Sequence, residues 1–258
     1  MTLYFKYMLL LFKAQMQYRA SFLLLVLGQC LTPFTVFAGL YFMFERFGEM
    51  KGWSFYEVLL CFAVTHMAFS ITECFARGFD MFSSLVVSGD FDRLLVRPRG
   101  TIIQVLGSKF EFSRVGRLLL GIVVLVWTIM NLDIPWSPLK ITALVLMEAS
   151  GVIIFASIFI LCASFSFWTV QGLEIANILT DGGREMTQYP LSIYHRRIQQ
   201  FFTFIIPFGC ANYLPLQYIL GREASPMYAF LPLAGLLFLA PCLLIWQIGV
   251  RRYRSTGS

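Results

Sequence analysis

Residues 88–98 read SGDFDRLLVRP, a compact charged run set between two long apolar stretches. Asp90 stands where a helix start needs an acceptor for its free amides, and Pro98 stops any helix begun there. The spacing predicts a two-turn helix over FDRLLVR. Phe91, Leu94 and Leu95 fall on one side, Asp92 and Arg93 lie beside them, and Arg97 follows four residues after Arg93. A peg with an apolar tip and flanking charge suits a groove on another protein. An ordinary solvated loop helix carries the same pattern.

The surrounding composition is that of a membrane protein. Of 258 residues, 58 % are hydrophobic and only 13 % charged, against about 25 % charged in soluble domains. Several runs reach the roughly 20 apolar residues needed to cross a ~30 Å hydrocarbon layer. The net charge of +6 comes from Lys and Arg at the ends of those runs, where topology rules put them, so nucleic acid is not an expected partner. Cys30, Cys61, Cys74, Cys162, Cys210 and Cys242 stand singly with no CxxC pair. They read as small buried hydrophobes rather than disulfides or metal ligands.

Spans are expected at about 21–44 and 55–75, on either side of the polar piece ERFGEMKGWS. The first is too long for a signal-peptide core and lacks a small-x-small cleavage site. Residues 1–19, with Lys6, Lys13 and Gln17 near one face, read as an interfacial helix lying along the membrane, or as an extension of the first span. The segment 77–117 holds Arg77, Arg93, Arg97, Arg99, Lys109, Arg114 and Arg117, so the positive-inside rule makes it cytoplasmic. Spans at 118–130 and 141–162 follow, joined by the tight turn NLDIPWSP.

Two topologies fit the next part. Residues 166–188 are long enough to span but carry Glu174, Asp181, Arg184 and Glu185, each costing roughly 2.5–3.5 kcal/mol at mid-membrane unless shielded. Residues 190–222, broken by Pro190, Pro207 and Pro215, read as re-entrant half-helices covered by protein. Counting Arg184, Arg196 and Arg197 instead favours a cytoplasmic 184–199 and a span at 201–220. Both versions finish with a span at about 226–250 ending in RRYRS, giving six spans with both termini inside.

Motifs of chemistry are absent. No GxxxxGK[ST] occurs, and Gly100 to Gly107-Ser108-Lys109 has the wrong spacing, so no nucleotide cofactor is expected on this chain. His66 and His195 lack partners at zinc-ligand spacing, and no GxSxG is present. His66 and Glu73 lie seven apart on one face of the second span, with Thr65 and Thr72 nearby. They form either a polar wall of a translocation path or a set that satisfies itself and a neighbouring helix. Glu148, beside Ala149-Ser150-Gly151, reads as a packing seam.

SGDFDRLLVRP, followed by Gln104-Val105-Leu106-Gly107, Phe167-Trp168 and YPLSIY at 189–194, resembles a six-span subfamily of ABC-2-type exporter permeases over essentially the whole chain. The resemblance implies an all-α membrane fold: six transmembrane helices, an N-terminal interfacial helix, a cytoplasmic coupling helix and a re-entrant helical pair before the last span. It maps ATPase coupling onto Asp90, Phe91, Asp92, Arg93, Leu94, Leu95 and Arg97. It favours 166–188 as the fifth span, against the charge count. His195-Arg196-Arg197 departs from the family, whose members tend to have a proline there.

The implied function is that of a permease in a bacterial-type cytoplasmic membrane, paired with an identical or sister permease. Two copies of a separate ABC ATPase would carry the ATP and Mg, and a hydrophobic or amphipathic solute would move outward. A non-transporting sensor or immunity scaffold that docks an ATPase is the alternative, and a membrane-embedded enzyme the third. The substrate is not written in the sequence.

Overall fold

A computed structural model of the chain describes residues 2–169 and 172–253, with backbone only for 2, 3 and 172–177. The Glu174 side chain therefore lies outside the described residues. Its helices in chain order are α1 (Thr2–Gln15), α2 (Arg19–Phe47), α3 (Phe55–Asp80), α4 (Phe82–Val87), α5 (Asp90–Leu95), α6 (Thr101–Leu106), α7 (Val115–Asn131), α8 (Pro138–Phe165), α9 (Gly172–Thr187), α10 (Arg196–Gln200), α11 (Leu214–Ile219) and α12 (Ala234–Arg252). Among the described residues there is no strand beyond one bridge between Met50 and Trp53.

Five helical stretches are long and apolar enough to cross a membrane: Tyr4–Phe47, Phe55–Val87, Phe112–Asn131, Pro138–Phe165 and Pro226–Arg252. Tyr4–Phe47 takes in most of α1 together with α2, and Phe55–Val87 runs on from α3 through α4. The Ser54 amide donates to Glu57 Oε2 at 2.8 Å and opens α3, half of a capping box. Ser137 Oγ accepts the Lys140 amide ahead of α8, where Pro138 gives up no needed donor.

Helix α3 is the central post, packed against α7, α8 and α9, while α8 also packs on α12. Glycines bring backbones together at two crossings. A Cβ on Gly78 would collide with the Val105 carbonyl of α6, and one on Gly116 of α7 with the Val26 carbonyl of α2. Gly78→Ala should therefore push α6 off α3 at a cost of about 1–3 kcal/mol, as overpacking does. A lowered thermal midpoint in detergent is expected; an unchanged one would contradict the close approach.

A short 3-10 segment, Met16–Tyr18, separates α1 from α2, with Tyr18 out of helical geometry at φ −112° and ψ 71°. The apolar side of α1, through Tyr4, Tyr7, Met8 and Leu11, packs against Phe110, Phe112 and Cys74. Its Tyr4 hydroxyl donates to the Phe75 carbonyl at 3.1 Å.

The bundle has two distinct ends. One carries segment 77–117, and there Phe167 meets Phe82, Phe91 and Trp246. The other carries the 48–54 turn, where Lys51 Nζ donates to the Ile193 carbonyl at 2.8 Å and Trp53 Nε1 to Ser192 Oγ at 2.9 Å. Arg222 joins the same end, bonding Glu57 Oε2 at 2.7 Å and lying 4.0 Å over the Trp53 ring. Between Phe167 and Ser192 the chain thus passes from one end of the bundle to the other, mainly through α9, whose 16 residues cover about 24 Å at 1.5 Å per residue. The YPLSIY segment lies opposite the 77–117 loop, against the expectation from counting arginines.

After it come two helical pieces separated at Pro207. Arg196–Gln200 continues as a π-helix over Phe201–Ile205, and a second π-helix over Gly209–Tyr213 leads into α11. They face each other across the break, with Cys210 Sγ donating to the Thr203 carbonyl at 3.7 Å.

Candidate coupling helix and charged helix seam

The loop helix forms over Asp90–Leu95, one residue earlier than the spacing suggests. Its cap is Gly89, which holds φ +73°, a conformation open to glycine at no steric cost. Asp90 does not cap the amides. Its carboxylate accepts from Ser88 Oγ at 2.9 Å and pairs with Arg93 at 3.4 Å. Glycine already turns the chain into the helix, so Asp90 becomes the first helical residue and complements the helix dipole from there.

Phe91 and Leu94 of the expected apolar side are turned into their own protein, while Leu95 stays exposed. Phe91 is 0 % exposed, with ring centroids 4.9 Å from Phe82, 5.1 Å from Tyr253, 5.6 Å from Phe167 and 6.4 Å from Trp246. Leu94 packs against the same core. Buried Gln104 clamps the far end, donating from Nε2 to the carbonyls of Leu94 and Arg99 at 3.0 and 2.9 Å. The outward surface consists of Arg93, 79 % exposed, with Leu95, Arg97, Pro98, Arg99 and Val96, the last 83 % exposed. Sequence reasoning passed over Val96. Its signal is an apolar residue on the polar side of the helical wheel, and none of the described residues covers it.

His66 and Glu73 are both buried on α3, under α9, but in different company. His66 shares a 3.0 Å hydrogen bond between Nε2 and Gln188 Oε1. Just beyond it, Asn212 Nδ2 donates to Thr65 Oγ1 at 2.8 Å and to the Thr187 carbonyl at 3.1 Å, tying α3, α9 and the 209–213 turn. One turn from His66 toward the loop end, the Arg184 guanidinium lies 5.0 Å over the Phe69 ring. Of the polar residues that made 166–188 costly as a span, Arg184 thus meets α3 through Phe69, while Asp181 and Glu185 pair with Arg184 and Gln188 along α9 and its end.

Glu73 has only 5 % of its side chain exposed and faces three guanidiniums: Arg117 at 2.8 Å, Arg77 at 3.3 Å and Arg114 at 3.4 Å. Arg77 also pairs with Asp80 and Glu111, Arg114 bonds Glu111 and Gln29, and Arg184 bonds Asp181 and Glu185. The cluster surrounds a cavity of about 220 Å³ between α3, α7, α8 and α9. The Glu73 to Arg77 spacing was legible on one helix; the arrival of Arg114 from the 3-10 turn before α7, Arg117 from α7 and Arg184 from α9 was not.

Glu148 sits partly buried on α8, and no hydrogen bond to its Oε1 forms among the described residues.

The family described as ABC-2 family transporter protein matches residues 30–257. No curated protein and no solved structure matches the chain. The family match runs through the loop helix, the α3–α9 seam and the YPLSIY segment. Together with five membrane-length apolar helices, it establishes that this multi-pass membrane chain belongs to the ABC-2 family of transporter proteins, as a permease subunit.

Proposed function

We propose that this chain forms half of the membrane pathway of an ATP-driven exporter that moves a hydrophobic or amphipathic solute outward. Six crossings of the membrane are made by α2, α3, α7, α8, α9 and α12. Segment 77–117 and both termini are on the cytoplasmic side of a bacterial-type inner membrane, and 190–222 is an outer re-entrant pair. Helix α1 lies along the cytoplasmic surface, exposing Lys6 and Lys13 beside Phe5, Leu9 and Leu10. A second permease chain, identical or a sister, completes the path, and a dimer of ABC ATPase subunits binds ATP and Mg.

One observation carries this reading: α5 and the two residues after it present Arg93, Val96 and Arg97 outward while Phe91 anchors the helix to Phe167, on the connection from α8 to α9, and to Trp246 on α12. A push on the outer face of α5 is delivered to two long helices through contacting rings. Close-packed interiors transmit such displacement rather than absorb it. Helix α9 suits the receiving end. Asp181 and Glu185 keep 57 % and 48 % of their side chains exposed, and charges at that depth belong against protein or a water-filled path. Glu73 and His66 stand behind α9 and position it.

The test is a permease–ATPase complex carrying Asp92→Lys and Arg93→Glu together. ATP hydrolysis linked to transport should fall at least about tenfold, since like charges now face those that the wild-type helix attracted, while the permease keeps its melting behaviour. Undiminished coupled hydrolysis would contradict the assignment.

A further inference from the structure

The geometry points to a binding site for a phosphate group in the cavity beside Glu73, and we propose that a phospholipid headgroup is its source. Four guanidiniums, from Arg77, Arg114, Arg117 and Arg184, converge on about 220 Å³ of polar space. The carboxylates around them, Glu73, Asp80, Glu111, Asp181 and Glu185, offset their charge but leave donors unused. Glu73 is shared among three arginines, and the Nε atoms of Arg114, Arg117 and Arg184 are buried without a hydrogen-bond partner. Arg114 is itself only 8 % exposed. Each guanidinium offers five donors in a planar fork, and a tetrahedral oxyanion is the acceptor that several such forks can share.

Position argues for a lipid. The cavity lies at the end of α3 that leads into segment 77–117, where the apolar stretch of α3 gives way to charge, the level at which headgroups sit. Its most exposed wall is Asp181 on the outer face of α9. A headgroup approaching along that helix can reach the arginines while its chains stay against exposed Ile178. Nothing in this site depends on transport or on an ATPase.

The experiment is native mass spectrometry of the full chain in detergent, offered phosphatidylethanolamine or diacylglycerol with the same acyl chains, with and without millimolar inorganic phosphate. The wild type should retain the phospholipid at least about tenfold over diacylglycerol, the scale of one charge-assisted hydrogen bond. Arg117→Gln should abolish that preference, and Lys109→Gln, on the same segment but exposed, should keep it. Because Arg117→Gln also strips Glu73 of a partner, Arg184→Gln provides the second variant. Among the described residues Arg184 meets two half-exposed carboxylates and the face of the Phe69 ring, so its loss leaves the fold standing and should still weaken retention. Displacement of the lipid by inorganic phosphate, with a phosphate adduct in its place, would keep the site and assign it to the free ion. Equal retention of the two lipids by the wild type, or wild-type preference in both arginine variants, would overturn the proposal.

Discussion

Phe91→Ala is expected to detach the loop helix from the bundle while leaving the membrane helices assembled. The side chain is wholly enclosed by Phe82, Phe167, Trp246 and Tyr253. Truncating a buried phenylalanine costs about 3–5 kcal/mol, and the edge-to-face contacts add to plain burial. The loss falls on a six-residue helix held otherwise by part-buried Leu94 and the Gln104 clamp, too little to keep so short a helix formed. Hydrogen exchange across 88–99 should therefore accelerate by orders of magnitude, with α3 and α8 unchanged. In a complex with the ATPase, hydrolysis should lose its link to transport. Phe91→Leu, which keeps much of the volume, should give a smaller effect of the same kind. Unaltered protection of 88–99 in Phe91→Ala would show that the rings do not hold the helix.

Glu73→Ala carries the second large effect, and it should strike the whole bundle. Removing this carboxylate leaves Arg77, Arg114 and Arg117 facing one another with Glu111, Asp80 and the half-exposed Asp181 as the remaining carboxylates of the cluster. Breaking a buried ion pair from one side costs about 3–5 kcal/mol because the remaining charge keeps its desolvation penalty. The helices α3 and α7 meet there, so the expected readout is a strongly lowered melting point in detergent and poor recovery of folded chain. Glu73→Gln with Arg117→Met should recover part of the loss, since neutralising both members leaves no uncompensated charge from the pair. If Glu73→Ala melts like the wild type, the cluster does not stabilise the fold. The phosphate site would then stand or fall on its own test.

Apolar run length made the long helices legible, because spanning hydrocarbon imposes one length scale on α2, α3, α7, α8 and α12. The loop helix was legible too, within a residue at its start. Its orientation was not. A helical wheel identifies Phe91, Leu94 and Leu95 as one side but is silent on whether that side faces a partner or its own chain. The answer came from Phe167, Trp246 and Tyr253, far away in sequence. The cap failed for a local reason: Gly89 at positive φ already makes the turn, so Asp90 moves inside.

Helix α9 shows the limit of counting charges. Arg184 pulled the 184–199 segment toward the 77–117 loop, yet Asp181 and Glu185 neutralise it, and the contacts of Ser192 and Ile193 with Trp53 and Lys51 lie at the other end. The His66–Glu73 stripe was visible as a period of seven. Its division into a hydrogen-bonded half and an ion-paired half depended on Gln188 and on arginines from elsewhere in the chain.

The central claim is that the outer face of α5 contacts an ATPase. A photo-crosslinking residue placed at Val96, 83 % exposed, in the purified permease–ATPase complex tests it most directly. The account predicts a crosslink from position 96 to the ATPase chain, and from position 91 only to this chain's own Phe167 or Trp246 region. An ATPase that co-purifies with the permease yet is never captured from position 96 would contradict it.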